Sequence, residues 1–182
     1  CPESVVIIGG GMIGLLMLQL AKLAGAAKVA LLEPVKGKRE IAERLGADLC
    51  LDPAEAGIDI KKALREAGFT WIRTVIECVG RPSTIEQAIG LADPRAVVMM
   101  FGLTRPEEAV SVKPFEIFQK ELELKASYIN PCTQQRALDL IDSGRLDVSS
   151  MICEVCGLDR LAEILADPAL RAKGKYIISP EK

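Results

Sequence analysis

The sequence predicts an α/β fold, a doubly wound parallel sheet with helices on both faces. Three observations support this prediction. Short apolar runs of strand length alternate with stretches in which apolar residues recur at helical spacing. The first run, residues 4–8, is apolar after its first residue, as expected for a strand covered on both faces. Glycines and prolines stand between many of these segments, where they favour turns.

The elements follow from these patterns in order along the chain. Strands are predicted at residues 4–8, 29–32, 49–51, 71–79, 96–101 and 122–129, with a further short strand at 152–156. Helices are predicted at residues 13–24, 36–46, 60–67, 83–91 and 114–119. Gly25 and Gly68 are placed to end two of the helices, and Ser83-x-x-Glu86 has the spacing of a capping box.

The clearest functional signal is the glycine turn after the first strand. Gly9, Gly11 and Gly14 form a G-x-G-x-x-G pattern between strand and helix. Gly9 permits a sharp turn, Gly11 lets the backbone approach a pyrophosphate, and Gly14 lets the helix pack closely on the strand. The helix N-terminus would offer N–H groups and a positive dipole end to phosphates. A purely structural turn is the alternative.

An acid stands at the end of the second predicted strand. Glu33 lies nineteen positions after Gly14 (33 − 14), about where a carboxylate accepts hydrogen bonds from an adenosine ribose. A 2′-phosphate about 4 Å away would be repelled by up to several kcal/mol, so Glu33 favours NAD over NADP. Lys36, Lys38 and Arg39 are close enough in sequence to moderate that preference. The alternative is an ordinary solvated acid.

Two further segments fall at predicted strand ends, Cys78-Val79-Gly80 and Phe101-Gly102-Leu103. In doubly wound sheets, ligands bind outside the carboxyl ends of the strands, where the strand order switches. The segments are therefore expected to line one cleft together with the glycine turn and Glu33. Taken alone, Val79 and Leu103 could be ordinary core residues.

Composition limits the function classes. The chain has 23 basic and 25 acidic side chains and a net charge of −2, so there is no basic surplus to attract nucleic acid. No apolar run approaches the ~20 residues that span a bilayer, and no secretory signal precedes the first strand. We expect a cytoplasmic protein with neither nucleic acid nor membrane as partner. A start at Cys1-Pro2-Glu3 suggests a piece of a longer protein.

The six cysteines give little sign of a metal site. Cys50 and Cys78 fall in predicted apolar strands, where a thiol behaves as a small hydrophobe. Cys153 and Cys156 form a single C-x-x-C, and the chain has no histidine to complete a zinc site. Reduced thiols and no metal ligand are expected.

These features together resemble the cofactor domain of the medium-chain, mostly zinc-dependent, alcohol and polyol dehydrogenases. The resemblance covers nearly the whole chain, and its tail is most similar to the sorbitol, threonine and butanediol dehydrogenase branch. It is carried by Val5 to Gly14, Glu33, Leu45-Gly46-Ala47-Asp48, Val75 to Gly80, Val97 to Gly102, Lys120-Glu121-Leu122 before Asn130-Pro131, Arg136-Ala137-Leu138, Ser143 to Asp147, and Gly174-Lys175-Tyr176.

The resemblance implies a Rossmann NAD-binding domain over residues 1–131. Residues 132–182 would pack on it and on a catalytic domain that this chain lacks. The implied cofactor-binding residues are Gly9, Gly11, Met12, Ile13 and Gly14 at the pyrophosphate with Lys175 nearby, Glu33 and Lys38 at the adenosine ribose, Val79 and Gly80 after Cys78 at the adenosine half, and Phe101, Gly102 and Leu103 at the nicotinamide carboxamide.

The implied activity is hydride transfer between a secondary alcohol or polyol and NAD, with NADP less expected. The family's zinc is held by ligands of the other domain, so we predict no catalytic or metal residue here and no turnover by this chain alone. A homodimer or homotetramer through the sheet edge near residues 122–127 is expected. The alternative is a stand-alone NAD(H)-sensing module without catalysis. The long match after Val75 disfavours an S-adenosylmethionine-dependent methyltransferase.

Overall fold

Six strands form one parallel sheet in the computed structural model, which describes residues 3–129 and 131–181. They are β1 Ser4–Ile8, β2 Lys28–Leu32, β3 Leu49–Leu51, β4 Ile72–Glu77, β5 Val97–Met100 and β6 Glu123–Ala126. The order is β3-β2-β1-β4-β5-β6, and every neighbouring pair is parallel. The predicted fold class is confirmed, and the strand order switches between β1 and β4. Cys1 and Asn130, named above, lie outside the described residues.

Helices pack on both faces of this sheet. The α-helices of the described residues are α1 Met12–Leu23, α2 Lys36–Arg44, α3 Ile60–Glu66, α4 Pro82–Leu91, α5 Pro114–Lys120, α6 Gln134–Asp142, α7 Leu161–Ala166 and α8 Pro168–Lys173. Those that supply buried residues to the two cores of the main sheet are α1, α2, α3 and α4. Alternate residues of β1 point to opposite faces and enter different cores. Val6 packs with residues of α3 and α4, whereas Ile7 packs with residues of α1 and α2.

The tail after β6 forms a small parallel sheet of its own, β7 Ile152–Cys156 with β8 Lys175–Ile178. Two contacts hold the tail to α1. Met151 is buried in the core on the α1 side of the main sheet. The Gln19 side chain donates to the carbonyl of Asp147 at 2.9 Å and accepts the N–H of Asp147 at 2.7 Å. Tail and main sheet thus pack together around α1.

Two strands were predicted more than one residue too long at their C-terminal ends. The strand predicted over residues 71–79 ends at Glu77, so Cys78 lies in the following loop rather than in a strand. The chain turns there because Glu77 Oε1 accepts the N–H groups of Val79 and Gly80. The last strand of the main sheet ends at Ala126 instead of residue 129.

The predicted capping box is also replaced. α4 begins at Pro82, and the Thr84 hydroxyl accepts the N–H of Arg81 at 3.3 Å. Glu86 instead accepts the N–H of Ser111 at 2.9 Å and thereby fixes a distant loop. The predicted helix is confirmed, but Thr84 and Arg81 form the contact at its start instead of Ser83 and Glu86.

Candidate functional site

The glycine turn is fastened to the end of β2 by Glu33. The side chain is 6% exposed. Its Oε2 accepts the N–H of Gly10 at 2.8 Å, and its Oε1 accepts the N–H of Val35 at 2.9 Å. The alternative of a solvated acid is therefore wrong. Gly10 was missed as a site residue, although the run of three glycines signalled it: a Cβ there would lie 2.8 Å from Glu33 Cγ.

The turn leads into α1 with an open space at its start. A Cβ on Gly14 would overlap the Gly9 carbonyl oxygen, so only glycine allows α1 to lie this close to β1. Gly11, by contrast, has nothing within 4 Å of where a Cβ would stand. Met12 and Ile13 form the first turn of α1, and no side chain caps that N-terminus. Backbone N–H groups and a positive dipole end are thus presented at an unobstructed surface.

The loops after β4 and β5 are organised by Glu77, a residue that sequence reasoning did not select. Glu77 is fully buried. Its Oε1 accepts the N–H groups of Val79 at 2.8 Å and Gly80 at 2.9 Å. Its backbone carbonyl accepts those of Phe101 and Gly102, both at 2.9 Å. An acid within an apolar strand was the available signal, because burial of a carboxylate requires several donors.

These loops abut the glycine turn. A Cβ on Gly9 would lie 2.8 Å from Val79 Cγ2, and a Cβ on Gly80 would lie 2.5 Å from the Leu103 carbonyl oxygen. Val79 is 41% exposed and Leu103 is 87% exposed, so neither is an ordinary core residue. The predicted segments after β1, β2, β4 and β5 therefore form one continuous surface across the switch point.

Basic side chains line a cavity of about 220 Å³ above Gly10 and Gly11. Lys38 was predicted beside the adenosine ribose and Lys175 near the pyrophosphate, and both line this cavity. Arg171 and Lys173, which the sequence did not single out, line the same cavity. They lie more than 150 positions beyond the glycine turn, so only the folded tail reveals their proximity.

The other two cations near Glu33 are engaged elsewhere. Arg39 Nη1 donates to the carbonyls of Glu33 and Pro34, each at 2.7 Å, and lies 3.1 Å from Asp52 Oδ2. Lys36 is exposed and lies 3.8 Å from Glu40. Of Lys36, Lys38 and Arg39, it is Lys38 that lines the cavity beside the turn.

A second hollow, of about 520 Å³, lies at the carboxyl ends of β5 and β6. Phe101, Gly102 and Leu103, which the sequence predicted at the nicotinamide carboxamide, line one side of it. Residues 126–129 line the other side. They were missed because the sequence pattern placed all four in a strand, whereas β6 ends at Ala126 and residues 127–129 form a loop.

The surroundings of two thiols, Cys78 beside the cleft and Cys50 in β3, raise their pKa values. Burial, and secondarily the charge of Glu77, raises the pKa of Cys78 to about 12. Burial, and secondarily Glu43, raises the pKa of Cys50 to about 11. Within the described residues, histidine, cysteine and acidic side chains form no group of three or more that could hold a metal ion. None of the helices in the same ranges has the length and apolar character to cross a bilayer.

Comparison with known proteins gives a consistent family. The model of the zinc-binding dehydrogenase family matches residues 12–143. Galactitol 1-phosphate 5-dehydrogenase of Escherichia coli (strain K12) is 27% identical over 187 residues, covering 98% of this chain and 54% of that protein. L-threonine 3-dehydrogenase of Thermococcus kodakarensis is 28% identical over 183 residues, covering 99% and 52%. The chain thus spans about half the length of these curated relatives.

Solved structures agree. A candidate zinc-binding dehydrogenase from Sinorhizobium meliloti 1021, crystallised with NADP, has a TM-score of 0.90 and 35% identity over 99% of this chain and 53% of that chain. Galactitol-1-phosphate dehydrogenase from Escherichia coli has a TM-score of 0.83 and 27% identity over 98% of this chain and 54% of its own. The likeness includes the tail as well as the main sheet.

Proposed function

Because the chain belongs to the zinc-binding dehydrogenase family, we propose that it is the cofactor-binding part of an NAD-dependent alcohol or polyol dehydrogenase. The observation that carries this proposal is the unobstructed glycine turn at the switch point, tied by Gly10 to the buried carboxylate of Glu33. Residues 1–131 would form the dinucleotide-binding domain. Residues 132–182 would pack on this domain, which the Met151 and Gln19–Asp147 contacts support, and also on a catalytic domain outside this chain.

The residues of the turn fit a dinucleotide. The N–H groups at Gly11, Met12 and Ile13 would hold the pyrophosphate at the start of α1, since no side chain caps that end. Lys38 and Lys175 would add positive charge. Glu33 would accept the adenosine ribose hydroxyls: an ionised carboxylate has about four acceptor sites, and the two backbone N–H groups occupy only two of them.

We propose NAD as the cofactor in preference to NADP. The carboxylate of Glu33 is held rigidly by two hydrogen bonds and would repel a 2′-phosphate. Arg39, which could have offset this repulsion, is already bonded to two carbonyls and paired with Asp52. The relative from Sinorhizobium meliloti 1021 was crystallised with NADP, so the comparison of the two cofactors is the deciding experiment.

The proposed reaction is hydride transfer between a secondary alcohol or polyol and the nicotinamide. When bound, the nicotinamide cofactor supplies the hydride acceptor. Phe101, Gly102 and Leu103 would position the carboxamide beside the hollow at the ends of β5 and β6. The described residues offer no metal-ligand group, so zinc would belong to the catalytic domain, and this chain would not turn over an alcohol by itself. Relatives named for galactitol 1-phosphate and L-threonine support an alcohol as substrate.

We further propose pairing of two copies through β6. This strand is at the sheet edge, and all four of its residues are exposed. An unpaired edge is a template for another strand. Location in the cytoplasm remains a prediction from the sequence.

The test is a titration of the chain with NADH and, separately, NADPH, followed by nicotinamide fluorescence. We expect saturable NADH binding, weaker NADPH binding, and loss of both in Gly11→Asp, because a carboxylate would occupy the open space at the turn. Gly90→Asp, on the exposed face of α4, is the matched control and should bind as wild type. Tighter binding of NADPH than of NADH would reverse the cofactor assignment. Absence of binding by the wild-type chain would contradict the proposal for this chain.

A further inference from the structure

Four cations converge on the cavity above the glycine turn. Lys38 comes from α2, and Arg171, Lys173 and Lys175 come from the segment of the tail that runs from α8 into β8, here named the cationic arm, residues 168–175. Every charged side chain that lines this cavity is basic. Among the residues that the structure describes, none of the four takes part in an ion pair. An anion held in this cavity would be attracted by all four positive charges.

The base of the arm is fixed to the main sheet. A Cβ on Gly174 would lie 2.7 Å from Cys153 Sγ and 3.0 Å from the carbonyl oxygen of Met151, so the arm passes tightly over the start of β7. Met151 is buried in the same core as Leu15 of α1, and both line the cavity. Packing at Gly174 and Met151 therefore fixes the backbone from which Arg171 and Lys173 reach the cavity.

We propose that the cationic arm is a clamp on the cofactor's phosphates, with Arg171 and Lys173 as further binding residues. This inference rests on the proposed function, because it takes the anion to be a dinucleotide pyrophosphate. The N–H groups of α1 would face the phosphates from one side, and Arg171 and Lys173 from the other. A guanidinium can pair with two phosphate oxygens at once, and an ammonium supplies a point charge. Cofactor binding would thereby fasten the tail to the dinucleotide-binding unit.

The clamp makes a prediction that separates phosphate recognition from recognition of the nucleoside. In Arg171→Gln/Lys173→Gln we expect NADH and ADP-ribose to bind about tenfold more weakly, with a shallower dependence of affinity on salt. Adenosine, which has no phosphate, should bind equally to variant and wild type. The control Arg136→Gln/Arg145→Gln removes the same charge from exposed positions of the tail that do not line this cavity. It should leave NADH binding unchanged.

Two further measurements distinguish an effect of the lost charge from an effect on the structure of the arm. Arg171→Lys/Lys173→Arg retains both charges and should restore most of the affinity, which a merely structural role of these side chains would not require. Trypsin cleavage after Arg171 and Lys173 in the wild-type chain should slow when NADH is present. Wild-type affinity and salt dependence in Arg171→Gln/Lys173→Gln would overturn the clamp while leaving the proposed function intact. No NADH binding by the wild-type chain would overturn both.

Discussion

At the scale of single residues, the glycines of the turn divide into two kinds. Gly14 is required by packing, because any side chain there would meet the Gly9 carbonyl oxygen. Gly11 faces open space and is required only if something binds there. The same G-x-G-x-x-G pattern thus contains one position that the fold requires to be glycine and one where the fold leaves open space, which the proposed cofactor would occupy.

This division predicts opposite effects of the same substitution. Gly14→Ala should lower the free energy of unfolding by about 3 kcal/mol, since the added methyl overlaps backbone that cannot move without shifting β1. Gly11→Ala should change it by about 0.5 kcal/mol or less, because the backbone there is extended with a negative φ and the space is empty. Urea denaturation of both variants measures the difference. Equal losses of stability would show that the two glycines have the same role.

The acids of the site show why some of it could be predicted and some could not. Glu33 was found because it stands at a fixed distance from the glycine turn, a local spacing set by one βα unit. The side chain of Glu77 accepts N–H groups of residues 79 and 80, which follow it closely in the chain. Its backbone carbonyl accepts the N–H groups of residues 101 and 102, and these hydrogen bonds form only when β4 and β5 lie side by side. Spacing along the chain reveals the first kind of contact and hides the second.

At the scale of elements, the accuracy of each predicted strand boundary depended on the residues that flank the strand. β1 and β3 were predicted with their observed bounds, because their apolar runs end at turn residues. β4 and β6 were drawn too long, because apolar residues continue beyond both strands into exposed loops that line the cleft. A strand pattern cannot distinguish apolar residues in such exposed loops from apolar residues in a buried strand.

The junction of α1, β2 and β3 depends on one carboxylate. Asp48 Oδ2 accepts Lys22 Nζ of α1 at 2.5 Å and the N–H of Val29 in β2 at 2.6 Å. Burial opposes the ionised form of Asp48, but the bonds from Lys22 and Val29 outweigh it, so its pKa lies below its ordinary value of 3.8. The ionised carboxylate of Asp48, just before β3, therefore links that strand to α1 and to β2.

The direction of this pKa shift predicts a pH dependence of stability. A carboxyl group whose pKa is lower in the folded than in the unfolded chain stabilises the fold above its unfolded pKa, and the contribution is lost as pH falls through the folded value. Wild type should exceed Asp48→Asn in unfolding free energy by about 1 kcal/mol or less near pH 7, given that the side chain is partly exposed. The difference should shrink below about pH 4. Urea denaturation across this range is the measurement, and a difference that grows on acidification would contradict it.

At the scale of the whole molecule, the tail and the sheet edge are the two surfaces through which we propose that this chain contacts other parts of the assembly. The tail returns across α1 through Met151 and brings the cationic arm to the glycine turn. This return was not predictable from spacing, because it joins residues more than 100 positions apart, as Gln19 and Asp147 illustrate. The sheet edge was predictable, since the last strand of a doubly wound sheet has no further neighbour.

The exposed edge allows a backbone test of the proposed pairing. Glu123 directs its N–H to the Ala96 carbonyl, so in a parallel ladder the N–H groups of alternate residues face inward, and that of Ala126 faces the free edge. Ala126→Pro removes this outward donor without removing a bond to β5, and it should convert a dimer into a monomer in sedimentation velocity. Ala126→Ser, which keeps the donor and adds a polar group, should remain dimeric. A proline variant that sediments as a dimer would show that any pairing uses another surface, because a strand added at β6 needs that N–H.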